Sequence, residues 1–185
     1  MSGVQNDLMS DEEPEMVLVM LAQRGDLRAF EKLLRRLHSP LRKYITRLVG
    51  VSAADDILQD AALRIFQHLN LLREARVFKA WSFRIATRIA FVHLKREKRW
   101  RETEREYEET RSIQGNSTPP VDLDEDFLGL LDCVSPSSRA VLLLHYQQHL
   151  SLEETAAILD IPLGTVKSRL SYGVSTIRNS IKERK

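Results

Sequence analysis

The sequence predicts an all-α protein: two small helical domains joined by a flexible acidic linker, the second containing a helix-turn-helix. Three observations carry that prediction. Apolar residues recur at three- and four-residue steps through most of the chain, and no period-two alternation is long enough for a strand. Gly and Pro are scarce, seven and six of 185 residues, whereas a sheet protein with many tight turns needs more of both. The periodicity lapses across 102–126, where Glu-rich sequence passes into Gly115-Asn116-Ser117-Thr118-Pro119-Pro120 with little to bury.

Residues 1–14 read as a disordered acidic terminus. Asp7, Asp11, Glu12, Glu13 and Glu15 are the opposite of a basic signal-peptide start. Ser10 and Glu13 have capping-box spacing ahead of the apolar run Met16 to Leu21. Gly25 then stops that helix and Asp26 caps the next, whose stripe is Leu27, Phe30, Leu33, Leu34 and Leu37. Pro40 is expected to interrupt it, with Leu41, Tyr44, Ile45, Leu48 and Val49 resuming the period as far as Gly50. Ser52 caps a helix from about 53 to 69, with Ile57, Leu58, Ala61, Ile65 and Leu69 inward. After a polar connection over 70–76, a long helix runs from about 78 to 100, with Trp81, Ile85, Ile89 and Val92 as its expected apolar face. The first domain is therefore 15–101, the linker 102–126 and the second domain 127–185.

In the second domain, Ser135 caps a helix with Pro136 at its first position, and Ala140 to Leu144 is its apolar centre. Ser151-Leu152-Glu153-Glu154 has the capping-box form and opens a short helix to Leu159. Asp160-Ile161-Pro162 turns the chain into a second helix from Leu163, with Ala156 and Ala157 small enough for close approach. Val166, Leu170, Val174, Ile177 and Ile181 form its buried stripe. Thr165, Ser168, Arg169 and Tyr172, with Lys167 at the flank, are left outward. Such groups suit base edges and phosphates in a major groove. Gly173 is expected to weaken this helix by ~1 kcal/mol relative to Ala.

Charge is polarised beneath a formal net of +2. Arg84, Arg88, Lys95, Arg96, Lys98, Arg99 and Arg101 face only Glu97 across 84–101, a local +6, and 102–126 carries nine acids against Arg105 and Arg111, a local −7. The chain from Lys167 to its end is basic again, six to one. Two basic blocks on separate bodies suggest two polyanion contacts. The acids between them either mask a basic surface or merely keep the linker solvated. Other classes find less support. No apolar run approaches the ~18 residues of a membrane span, so no membrane insertion is expected. One cysteine, Cys133, excludes internal disulfides and Cys-rich zinc modules. His145 and His149 stand at i and i+4, but Tyr146-Gln147-Gln148 between them lacks a zinc-protease glutamate and no third ligand is evident. There is no Gly-rich phosphate loop. No catalytic residue, metal or cofactor is assigned.

Four segments resemble one known family. Ile161-Pro162-Leu163-Gly164-Thr165-Val166-Lys167-Ser168-Arg169-Leu170 resembles the promoter-reading helix-turn-helix of extracytoplasmic-function (ECF) sigma factors of bacterial RNA polymerase. Arg24-Gly25-Asp26 with Ala29-Phe30-Glu31 resembles that family's first conserved region. Asp55-Asp56-Ile57-Leu58-Gln59-Asp60 resembles its polymerase-clamp-binding helix, and Phe78-Lys79-Ala80-Trp81-Ser82-Phe83-Arg84-Ile85-Ala86 its strand-opening region. The likeness covers about 16–101 and 128–182 in the family's order. Departures are Arg88 where the family usually has Asn, Val92 where it has Asp, and Ala62 where it has an aromatic.

The resemblance implies a cytoplasmic factor that binds core RNA polymerase, directs it to promoters and helps open the minus-ten element. Asp56, Gln59, Asp60 and Arg64, on one outward face by their spacing, would meet the polymerase clamp. Arg76, Lys79, Trp81, Arg84, Arg88, Lys95, Arg96 and Arg99 would hold the opened minus-ten strand, although by residue type Trp81 and Phe83 read first as core. Thr165, Lys167, Ser168, Arg169 and Tyr172 would read the minus-thirty-five duplex. An anti-sigma factor, often membrane-tethered in the family, is an implied partner. The alternatives are a stand-alone helix-turn-helix regulator binding an operator as a dimer, and an adaptor that binds only protein.

Overall fold

The computed structural model describes residues 13–108 and 130–183, with side chains described over 13–100 and 130–182. Ser10, most of the acidic terminus, the Gly115–Pro120 run and the rest of 109–129 lie outside the described residues. Among those described there are helices and turns but no strand. The first domain packs α1 (Glu15–Gln23), α2 (Leu27–Val49), α3 (Val51–His68) and α4 (Phe78–Glu108). The second holds α5 (Pro136–Leu142), a π turn over Leu143–Gln147, α6 (Leu152–Leu159) and α7 (Leu163–Glu183).

The α1–α2 junction forms as its residues demand. Gly25 takes φ +94°, and the Asp26 carboxylate accepts from the Arg28 and Ala29 amides at 2.9 and 3.1 Å. Helix α1 itself begins after Pro14, which offers no side-chain cap. Leu18 and Val19 anchor it in the core. The Gln23 amide, donating to the Leu69 and Leu72 carbonyls at 3.0 and 2.7 Å, ties α1 to the chain leaving α3.

Pro40 does not interrupt α2, which is continuous from Leu27 to Val49. The missing amide costs one hydrogen bond, but Leu33, Leu37, Leu41, Tyr44, Ile45 and Leu48 bury one stripe across the proline. Burial of such side chains contributes ~1.5–3 kcal/mol each, which outweighs that loss. Helix α3 starts directly after Gly50 at φ +94°, with no cap from Ser52. Its inward residues Ile57, Ala61, Ile65 and Leu69 are as expected, joined by Ala53 and Ala54.

Helix α4 departs from the sequence reading twice. Its buried face is Phe78, Ser82, Phe83, Ala86, Thr87, Ile89 and Ala90, while Trp81 and Ile85 are half-buried and Val92 is exposed. The polar Ser82 and Thr87 had hidden this stripe. Nor does the helix end at 101: it continues to Glu108, so the start of the expected linker, 102–108, is helical.

In the second domain, Ser135 caps α5 with Pro136 at its first position, and Ala140 to Leu144 are all buried. Both halves of the Ser151–Glu154 capping box are made, at 3.0 and 2.8 Å. Gly173 is no weak point in α7. It is buried, and a Cβ there would lie 2.9 Å from Leu142 Cδ1, so the glycine lets α7 close on α5. Of the expected α7 stripe, Val166 is fully buried and Leu170, Val174 and Ile177 pack partly against the core, but Ile181 is exposed at the helix end.

Candidate polymerase and promoter surfaces

Helices α3 and α4 leave an open groove of about 490 Å³ between them. Asp56, Gln59, Asp60 and Arg64 line its α3 wall, together with Leu63. These positions follow from three- and four-residue spacing on a helix whose other side is buried. Neighbouring Asp55 is used differently, accepting from Arg42 Nε at 3.0 Å and so joining α2 to α3. Asp60 and Arg64 form a loose pair at 3.7 Å on the groove rim.

The opposite wall is Ile89, Val92, His93 and Arg96 from α4. Arg96 therefore sits with the four polymerase candidates and not with the minus-ten residues among which the sequence placed it. The groove also has an exposed apolar centre, Leu63 and Val92, each about half accessible. Leu63 was legible, since it continues the Asp56–Gln59–Asp60 stripe. His93 was not, because its membership depends on how α4 crosses α3. Beside the groove, Phe66 stays half exposed and packs on Phe30 with ring centroids 4.9 Å apart.

The remaining minus-ten candidates spread along α4 and the turn before it. Arg76, Lys79, Trp81 and Arg84 line a second cavity, about 480 Å³, whose far wall is Leu150, Glu154, Ala157 and Ile158 of the second domain. Trp81 is half-buried in that wall, 6.4 Å from the Phe78 ring, while Phe83 is core, edge-on to Tyr44 at 5.3 Å. Arg76 is exposed and paired with Glu74 at 2.7 Å. Lys79 Nζ donates to the Gln148 carbonyl at 3.2 Å. Arg84 and Arg88 both reach Asp160, each at 3.4 Å. Lys95 and Arg99 lie further along α4, exposed. Glu15, also in this cavity, has its carboxyl pushed above the ordinary range by burial, against the opposing pull of Lys79 and Arg36.

The five minus-thirty-five candidates share the start of α7. Lys167, Ser168 and Tyr172 are exposed, and Thr165 and Arg169 half-buried. Ser168 Oγ donates to the Thr165 carbonyl at 3.0 Å within the helix. Val166, fully buried, fixes the rotation that turns this face away from the core. His145 Nδ1 is engaged with the Leu150 carbonyl at 2.8 Å, and the backbone turns left-handed at His149, φ +56°. Among the described residues, no three His, Cys, Asp or Glu side chains gather as metal ligands. No helix among them is long and apolar enough to cross a membrane.

Two domain families match the chain. Residues 29–100 match Sigma-70 region 2 and residues 130–179 match Sigma-70, region 4. The ECF RNA polymerase sigma-E factor of Escherichia coli K12 is 26% identical over 185 residues, covering 94% of this chain and 97% of that protein. The ECF RNA polymerase sigma factor SigW of Bacillus subtilis 168 is 28% identical, covering 87% of this chain and 93% of its own length. Among solved structures, the sigma factor RpoE of Bartonella quintana, in complex with the anti-sigma factor NepR, superposes with TM-score 0.65 at 25% identity. It covers 83% of this chain and 96% of its own. CnrH, in complex with the cytosolic domain of CnrY, shares the fold with TM-score 0.69 at 20% identity, over 92% and 99% of the two chains.

Proposed function

The chain belongs to the ECF subfamily of sigma-70 factors, and we propose that it engages core RNA polymerase through the α3–α4 groove while its two basic surfaces hold the promoter. It is a sigma factor that directs RNA polymerase to promoters, a transcription initiation factor rather than a catalyst. The region 2 match removes the reading of a stand-alone operator-binding regulator. The residue roles rest on one observation above all: Asp56, Gln59, Asp60 and Arg64 converge on one groove with an apolar centre. A polar rim around an apolar centre is the composition of a protein interface, not of a nucleic-acid surface.

In this reading, Arg84 and Arg88 track phosphates of the opened minus-ten strand, with Lys95 and Arg99 continuing the path along α4. Trp81 offers a ring on which an unstacked base can rest, a contact worth ~1–3 kcal/mol. Thr165, Lys167, Ser168, Arg169 and Tyr172 enter the minus-thirty-five major groove at the amino-terminal end of α7, as a recognition helix does. Arg96 belongs to the polymerase contact. An anti-sigma factor holds the protein inactive, a proposal supported by the NepR-bound relative, and the cytoplasm, where polymerase and promoters are, is its compartment.

Transcription by purified core polymerase tests the assignment. Added chain should give promoter-dependent initiation, and the Asp56→Lys, Asp60→Lys double variant should lose holoenzyme assembly while keeping its helical circular dichroism. A folded double variant that assembles as well as wild type would show that the groove is not the contact.

A further inference from the structure

Trp100 is 68% exposed, more than any other aromatic side chain among the described residues. Tryptophan is highly buried on average, because so large a ring is poorly accommodated in water. The protein's other tryptophan, Trp81, is half-buried in a cavity wall. One exposed apolar side chain by itself requires no explanation. What matters is the face of α4 on which Trp100 stands.

An α-helix turns by about 100° per residue. On that wheel Arg84, Arg88, Lys95 and Arg99 fall within about 60° of one another, the arc assigned above to the minus-ten strand. Ile89, Val92, His93 and Arg96 occupy a second arc, the α4 wall of the groove. Trp100 follows His93 by seven residues and Ile89 by eleven. Its phase falls between theirs, about 20° from each, and about 100° or more from all four basic residues. The ring therefore continues the groove wall and not the basic arc. One turn of helix, about 6 Å, carries it past Arg96 and beyond the residues that line the groove. Val92, Arg96 and Trp100 follow one another at four-residue steps. The exposed apolar centre at Leu63 and Val92 thus runs on along the Arg96 stem to the indole.

We infer that the contact with core RNA polymerase extends along α4 beyond the groove, with Trp100 as its aromatic anchor. The inference rests on the reading of the α3–α4 groove as the polymerase contact. The surface that receives Trp100 is protein, with an apolar recess for the ring and an acceptor for the indole N–H, which a buried tryptophan usually needs. Interfaces concentrate their binding energy in a few such side chains, tryptophan foremost among them, with polar neighbours that exclude water. In this division, Asp56, Gln59, Asp60 and Arg64 fix the orientation of the partner. Leu63, Val92 and Trp100 supply the apolar area that holds it.

Assembly is measured without DNA, by titrating the dye-labelled full chain with core polymerase and following fluorescence polarisation. Trp100→Ala should weaken assembly roughly 10- to 100-fold. Trp100→Phe, which keeps a ring and loses the N–H, should recover part of that loss. Leu27→Ala removes a comparably exposed apolar side chain at the start of α2 and should assemble as wild type does. Binding of the free chain to single-stranded oligothymidylate should be unchanged in Trp100→Ala, since the ring lies off the basic arc. Undiminished assembly of Trp100→Ala overturns the inference, and so does an equal loss in Leu27→Ala. A loss confined to oligothymidylate binding also overturns it, and would make Trp100 a stacking platform for bases. The Asp56→Lys, Asp60→Lys variant separates this inference from the reading beneath it. If that variant assembles normally while Trp100→Ala does not, the groove reading fails and the Trp100 contact stands. If it loses assembly while Trp100→Ala does not, the inference alone fails.

Discussion

Tyr44 and Thr87 meet hydroxyl to hydroxyl at 2.9 Å inside the core of the first domain, joining α2 to α4. Thr87 Oγ1 donates to the Phe83 carbonyl at 2.7 Å, so the Tyr44 hydroxyl is the donor to Thr87. Tyr44 is fully buried, and burial pushes its phenol far above the usual range. The two truncations are therefore unequal. Tyr44→Phe removes a donor whose partner remains bonded, and should cost about 1 kcal/mol or less. Thr87→Val leaves a buried phenol with no acceptor, and should cost ~1–3 kcal/mol. Urea unfolding of the two variants measures the asymmetry, and equal losses would contradict it.

Gly173 faces Leu142 with no room for a side chain, since an added Cβ would stand 2.9 Å from Cδ1 and 3.3 Å from Cγ. Alanine would gain ~1 kcal/mol of helix propensity, but overpacking costs ~1–3 kcal/mol. Gly173→Ala should therefore lower stability, by about 1 kcal/mol. Adding Leu142→Val, which shortens the obstructing side chain, should recover part of the loss in thermal denaturation.

On α7, Arg169 and Lys167 should separate by the kind of contact they make. Arg169→Ala should weaken minus-thirty-five binding by ~1–3 kcal/mol and relax the preference for the native element. Lys167→Ala should weaken all duplex sequences alike and make the salt dependence shallower by about one unit of slope. Occupancy of promoter and scrambled duplexes at several salt concentrations distinguishes the two, and unchanged occupancy would refute both.

Glu15 sets a pH dependence whose sign follows from its raised carboxyl value. The folded protein holds this proton more tightly than the unfolded chain, so the stability it contributes is full below the ordinary value of 4.5 and is lost as pH rises through the higher folded value. Glu15→Gln should therefore be more stable than wild type at pH 7 and equal to it at pH 3.5. Melting temperatures at the two values check this, and an advantage that persists at acid pH would assign the effect to packing instead.

Legibility in the sequence tracked the range of the deciding interaction. The Asp26 cap, the Ser151–Glu154 box, Pro136 at the start of α5 and the outward face at Thr165–Tyr172 are settled within a turn or two of helix. Each was read from spacing alone. The same is true of Asp56, Gln59, Asp60 and Arg64, which one helix places on one side. Pro40 looks like a break in the sequence because its local cost is visible there, whereas the long buried stripe that overrides it is a tertiary quantity.

What only the tertiary structure decided was which distant residues share a surface. Arg96 shares a groove with Asp60 because α4 packs on α3, and Gly173 lies close against Leu142 because α7 presses on α5. Asp160 meets Arg88 across 72 positions of chain. Periodicity assigns each side chain to a face of its own helix but carries no term for the neighbour packed against that face. By itself the sequence determined the all-helical class, the caps at Asp26, Ser135 and Ser151, and the family. The pairing of the helices' faces, and with it the meeting of Asp160 with Arg84 and Arg88, depends on contacts between segments whose separation in sequence leaves no local trace.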